Sequence, residues 1–161
     1  MRSTATHFFF YKHILGNFHL CSFVMNDITF SNSEQAFMWL KAKHFKDPEY
    51  ADKIVETTDP MSAKHLGRMV RNYDEADWDS VRMDMMFCAC YAKFSQNPYL
   101  ADILFETKDL ILVEASPTDR VWGVGLRETD DLIIDPKNWK GRNLLGEVLM
   151  DVRQQLKEGK E

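Results

Sequence analysis

Of the four Asx-Pro pairs in the chain, three, Asp47-Pro48, Asp59-Pro60 and Asn97-Pro98, punctuate its first two thirds. Proline lacks an amide hydrogen and has a fixed φ, so it suits the first turn of a helix and breaks one further in. Each pair therefore closes one segment and opens another. The predicted helices are 49–56, 61–71 and 99–106, with a long one from Asp74 to about Phe94 that Asn97-Pro98 stops. A chain cut this way builds its interior from several helices. Ser31, Asn32 and Ser33 are candidate caps for a further helix through about Phe45. A last helix is predicted from Leu144 to Leu156, with an apolar stripe at Leu145, Val148, Leu149, Val152 and Leu156.

Strand patterns are fewer. Residues 8–11 and 21–30 read as short strands, the second with a turn at Asn26-Asp27, and 110–114 is the clearest strand. The segment 115–143 is rich in Gly, Pro, Asp and Trp and reads as loop, and loops of that length in a compact domain are more often functional than idle. No repeat or linker divides the chain. The expectation is one helix-rich α+β domain with a small sheet, a core over about 8–156 and a fraying polar tail, Lys157–Glu161. A length of 161 residues, 45% of them apolar, suits a single core, and 28% charged residues give a solvated surface.

Several function classes fall away. A net charge of -5 argues against a broad footprint on duplex DNA, while leaving room for a small basic pocket. Cys21, Cys88 and Cys90 lack zinc-ligand spacing and read as buried, reduced thiols of a cytoplasmic protein. No run of about 18 apolar residues is present to span a membrane. The five histidines form neither a metal motif nor a triad, and there is no phosphate-binding P-loop, nucleophile elbow or zinc-protease signature. Chemistry by carboxylates, amines and aromatics remains, with no cofactor and no metal required.

Four stretches supply such groups. On the first helix, Glu34 and Lys41 are seven residues apart and share a face, with Met38 between them. They either line a pocket or act as a helix-start acid and a solvated cation. After strand 110–114, the loop delivers Ser116, Asp119 and Trp122 to one region, and Gly123 lets backbone approach a ligand. The other reading makes Trp122 a core anchor and Asp119 a turn residue. Asn143 is placed to cap the last helix, whose first amides are open to capping or to a phosphate. Lys64, Arg68 and Arg71 form a basic stripe, either a solvated face or a phosphate clamp. Trp78 reads as core, and Lys93 ends the long helix beside Phe94.

These stretches, taken in order, resemble the NADAR, or YbiA-like, family. The resemblance rests on Ser33-Glu34-Gln35-Ala36-Phe37-Met38-Trp39-Leu40-Lys41-Ala42, on Glu114 through Gly125, and on Gly141-Arg142-Asn143-Leu144-Leu145-Gly146. Ala63 through Arg68, Trp78 and Ala92-Lys93-Phe94 match between them, so the likeness covers about residues 8–156. It implies an N-glycosidase with active-site residues at Glu34, Trp78, Asp119 and Trp122 and the helix lysine at Lys41. Some members hydrolyse phosphoribosyl intermediates of riboflavin synthesis, and others remove ADP-ribose from guanine. The implied partner is thus a small nucleotide-like substrate or an ADP-ribosylated nucleic acid, and a non-catalytic ADP-ribose binder is the alternative. Asn17 and Phe18 keep a family motif, but Gly16 stands where members carry serine.

Cleaving a ribose–nitrogen bond makes the sugar carbon cationic in the transition state, which a carboxylate stabilises directly or by activating water. Glu34 or Asp119 suits that task, and Lys41 suits attack on the sugar carbon or capture of the opened sugar as a Schiff base. Trp78 and Trp122 are the expected stacking surfaces, and Lys64, Arg68 and Lys93 the expected phosphate contacts. Glu34, Trp78, Asp119 and Trp122 are expected to line one pocket.

Overall fold

A computed structural model describes residues 1–159. The chain runs β1 (Arg2–Ser3), β2 (His7–Phe10), β3 (Phe23–Met25), β4 (Ile28–Phe30), α1 (Ser33–His44), α2 (Pro48–Glu56), α3 (Pro60–Arg68), α4 (Glu75–Ser95), α5 (Pro98–Glu106), β5 (Ile111–Glu114) and α6 (Leu144–Gly159). The fold is helix-rich α+β, as the Asx-Pro punctuation and the short strands imply. Two compact units divide it, one of residues 17–97 and one of residues 1–16 with the chain from 98 onward. No helix among the described residues is long and apolar enough to cross a membrane.

In the unit of residues 17–97, α1 is the central element. Residues 32–39 are all buried, and α1 packs against α2, α3 and α4. Local chemistry sets the helix starts. Asn32, Asp47, Asp59 and Asp74 each occupy an N-cap and accept a main-chain amide from Gln35, Tyr50, Ser62 and Asp77. Each acceptor satisfies one of the amides that a first helical turn leaves without a partner. Gly67 on α3 faces Met38 of α1 so closely that a Cβ there would overlap the methionine side chain, which sets how near the two helices come. The strand pattern over 21–30 resolves into the hairpin β3–β4, paired Phe23 with Phe30 and turned at Asn26 (φ 53°) and Asp27 (φ 64°).

In the other unit, β2 pairs in parallel with β5, Phe9 opposite Val113, and β1 adds an antiparallel edge that the sequence pattern did not reveal. Phe9, Val113, Ala115, Val124, Leu126 and Ile133 form its core, with Trp139 packed against it. The loop expected over 115–143 holds two short 3-10 turns, Asp131–Ile134 and Pro136–Asn138.

Three expectations are corrected. The helix predicted over 61–71 stops at Arg68, because Arg71 is drawn out to the buried carboxylate of Asp47. The basic stripe therefore loses its third member. The tail is helical through Gly159, and Lys160 and Glu161, the rest of the fraying expected there, lie outside the described residues. Of the three cysteines only Cys90 is buried, while Cys21 is partly exposed and Cys88 exposed.

Candidate active site

Glu34 enters the interior because the start of α1 is held from outside the helix. Its amide donates to the Asn17 main-chain carbonyl at 3.1 Å, and the Ser33 hydroxyl donates to Asn17 Oδ1 at 2.9 Å. Asn17 Nδ2 in turn reaches Met86 Sδ at 3.4 Å. The carboxylate-bearing residue is left 8% exposed, a buried acid at a helix start.

Two turns further along α1, Lys41 is half-buried. Its Nζ lies 4.6 Å from the centre of the Tyr73 ring and 6.0 Å from that of Trp78. Burial lowers the amine's pKa below the ordinary lysine value. The like charges of Arg82 and Arg68 push the same way, while Glu34 and Glu75 oppose them. Glu34 is thus one of the charges that act on the Lys41 amine.

The structure adds three residues that the sequence reading passed over. Arg82, only 6% exposed, donates from Nη2 to Glu75 Oε1 at 2.9 Å, and its Nε lies 3.4 Å from Asp79 Oδ1. The Tyr73 hydroxyl donates to Glu75 Oε2. Glu75 thus joins a ring and a guanidinium around the Lys41 amine. One signal was readable: Glu75 and Arg82 are opposite charges seven apart on a single helix, hence on one face.

Trp78 is 4% exposed, with Phe37, Phe45 and His44 rings 5.3, 5.9 and 6.0 Å away. It is a wall behind Lys41, whereas Tyr73 is the exposed ring. Of the expected phosphate contacts, Arg68 is exposed on α3, and Lys64 places its Nζ 5.9 Å from the centre of the Phe18 ring, itself 37% exposed. Lys93 is different: it is wholly buried, 4.9 Å over the Phe94 ring. Its charge offsets in part the burial that pushes the Cys90 thiol up to about 12.

The second group lies in the other unit. Asp119 Oδ1 accepts the amides of Val121 at 2.9 Å and Trp122 at 2.8 Å, and Ser116 Oγ accepts the Asp119 amide at 3.1 Å. This is the turn-residue use of Asp119, and it fixes the half-buried Trp122. A Cβ on Gly123 would lie 2.9 Å from Ser116 Cβ and 3.0 Å from the carbonyls of Asp119 and Glu114, so the loop closes tightly at that position. Asn143, at φ 54°, precedes α6 but turns its side chain to β5. Its Oδ1 accepts the Glu114 amide at 3.0 Å, and its Nδ2 donates to the Leu112 carbonyl at 2.9 Å. The first two amides of α6 are given to the carbonyls of Val121 and Trp122, so neither is open to a phosphate.

The structure thus assembles Glu34, Lys41, Trp78 and Arg68 in one unit with Asn17, Phe18 and Lys64. It assembles Ser116, Asp119, Trp122, Gly123 and Asn143 in the other. Among the described residues, no three His, Cys, Asp or Glu side chains converge as a metal site.

The class follows from comparison at this point. The NADAR domain family model matches residues 7–157, and the chain belongs to that family. It is similar to protein irg-1 of Caenorhabditis elegans, 45% identical over 131 residues, which span 80% of this chain and 62% of that protein. It is also similar to an N-glycosidase of Acanthamoeba polyphaga mimivirus, 41% identical over 124 residues, 77% of this chain and 73% of that one. The NMR structure of the Escherichia coli protein YbiA has the same fold, with a TM-score of 0.77 at 28% identity, covering 98% of this chain and 89% of that one.

Proposed function

We propose that this protein is an N-glycosidase that hydrolyses the bond between a base nitrogen and a ribose carbon in a phosphorylated, nucleotide-like substrate. The observation that carries the reading is the buried Glu34 sharing its surroundings with a half-buried Lys41 whose amine is pushed toward the neutral form. Names of relatives point the same way: the mimiviral relative is called an N-glycosidase.

In the reaction, the bond from C1′ to the base nitrogen breaks. Water supplies hydroxide to C1′ and a proton to the leaving base. Glu34 carries the negative charge that the cationic sugar carbon needs, directly or through the attacking water. Lys41 meets the ribose from the same face of α1. Arg68 and Lys64 on α3 supply phosphate contacts, with Phe18 beside Lys64. Substrates of two kinds have this bond: phosphoribosyl pyrimidine intermediates of riboflavin synthesis and ADP-ribosylated guanine. The net charge of -5 favours the first, smaller kind over a polyanion.

The test is incubation of the protein with each substrate type, with released base and sugar read by mass spectrometry. Release of base with one oxygen-18 atom from labelled water in the sugar product supports hydrolysis. Tight binding of both substrates with no release would make the protein a nucleotide-binding module.

A further inference from the structure

Glu75 has two roles in the geometry around Lys41. One carboxylate oxygen takes the Arg82 guanidinium and the other takes the Tyr73 hydroxyl, and the Tyr73 ring lies under the Lys41 amine. Arg82 is 6% exposed. A guanidinium at that depth cannot be rehydrated without opening the packing around it. Glu75 and Asp79 hold it in place, so it is a fixed positive charge in the surroundings of Lys41.

We propose that Arg82 is a positioning residue for Lys41, acting through Glu75 and Tyr73 to fix where the Lys41 amine sits and what charge surrounds it. The proposal rests on the reading of Lys41 as a residue that meets the sugar. A nucleophilic amine must be unprotonated, and a like charge held nearby is a recognised way to favour that form. The groups facing the amine come from every element around it: Glu34 on α1, Arg68 on α3, and Tyr73, Glu75 and Arg82 before and along α4. Of the charged groups, Arg82 is the strongest influence, next after burial itself, and it lowers the amine's pKa. Glu34 and Glu75 raise it. Arg82 also ties up the Glu75 carboxylate that would otherwise hold Lys41 protonated. Removing Arg82 therefore shifts the amine in one direction, and removing the Glu75 charge shifts it in the other.

That opposition of sign is the test, and it needs no substrate. The pH dependence of Lys41 modification by acetic anhydride, followed by peptide mass spectrometry, gives the titration midpoint of that one amine. In the unaltered protein the midpoint lies below the ordinary lysine value of about 10.4. Arg82→Met raises it, seen as at least a threefold slower modification at pH 8. Arg82→Lys keeps the charge and restores most of the rate. Glu75→Gln, at an exposed helix start, lowers the midpoint and speeds modification. Should Arg82→Met fail to fold, Glu75→Gln still decides: a midpoint that is unchanged or raised overturns the proposal. Midpoints that stay fixed, or that move together, in the two folded variants overturn it as well. Since modification is read without turnover, loss of the N-glycosidase reading would not erase a positive result here.

Discussion

The main-chain carbonyl of Asn17 accepts the amide of Glu34 at 3.1 Å, so the residue before the family's Phe18 position holds the first turn of α1. The Asn17 side chain adds the Ser33 hydroxyl and a contact to Met86. Asn17→Ala keeps the carbonyl and loses the side-chain bonds. We expect a stability loss of about 1 kcal/mol, the net worth of one such hydrogen bond. If Glu34 acts as proposed, turnover should fall further, about tenfold, through kcat more than KM, because a small shift of its carboxylate costs rate rather than binding. Chemical denaturation and steady-state kinetics on the same sample separate the two.

Glu34→Gln preserves shape and removes charge. Loss of an electrostatic stabiliser of the transition state costs about 10²–10³ in kcat, whereas an acid in the first turn of a helix is worth about 0.3–1 kcal/mol of stability. The expected result is a folded, nearly inactive enzyme. Unchanged kcat would remove Glu34 from the mechanism.

Lys41 offers a pH signature with a definite sign. Burial and nearby cations put its folded-state pKa below its unfolded value. The unfolded chain therefore holds the proton more tightly, and stability rises with pH across the window from the folded value up to about 10.4. Lys41→Met removes that dependence and should not lower the Tm at pH 7, while turnover is lost. Borohydride added during turnover should tether sugar to Lys41 if an imine forms. No adduct, with activity partly kept in Lys41→Arg, would assign Lys41 to electrostatic binding of the ribose.

Asp119 needs a variant that separates its turn from any chemistry. Asp119→Asn keeps an oxygen for the Val121 and Trp122 amides and removes the charge. If the carboxylate takes part in the reaction, kcat drops at least tenfold with an unchanged melting curve. Wild-type kcat would leave Asp119 as the residue that shapes the Trp122 loop.

What was readable in the chain was mostly local. A cap such as Asn32 or Asp59 and the amide it accepts lie within one turn, so the helix starts follow from neighbouring residues. The shared face of Glu34 and Lys41 follows from helix geometry in the same way. The contacts that complete the second site and the fold around the first are long-range. Asn143 bonds across 29 and 31 residues to β5, and Arg71 across 24 to Asp47. No local pattern encodes such partners, which is why Asn143 read as a cap and Arg71 as part of a stripe. Trp78 read as core, and the rings of Phe37 and Phe45 that enclose it became visible only where α1 and its C-cap pack against α4.

Asp47 is where one of those distant contacts should dominate stability. It caps α2, is 1% exposed, and accepts from Arg71 three times: the main-chain amide at 2.9 Å, Nε at 3.1 Å and Nη2 at 2.6 Å. These donors hold its carboxyl well below the usual carboxylate range, the Arg71 guanidinium contributing most. A depressed folded pKa means the ionised acid stabilises the fold above the unfolded value of about 3.9, and that contribution is lost as pH falls below it. Asp47→Asn keeps the capping oxygen and gives up the charge. Its Tm should lie several degrees below wild type at pH 7, and the gap should narrow steadily from pH 4 toward pH 2 as the wild-type carboxyl approaches protonation. Calorimetric Tm values for both proteins across that range measure it. A gap that stays constant with pH would mean that the Arg71 contact contributes through geometry alone and not through charge.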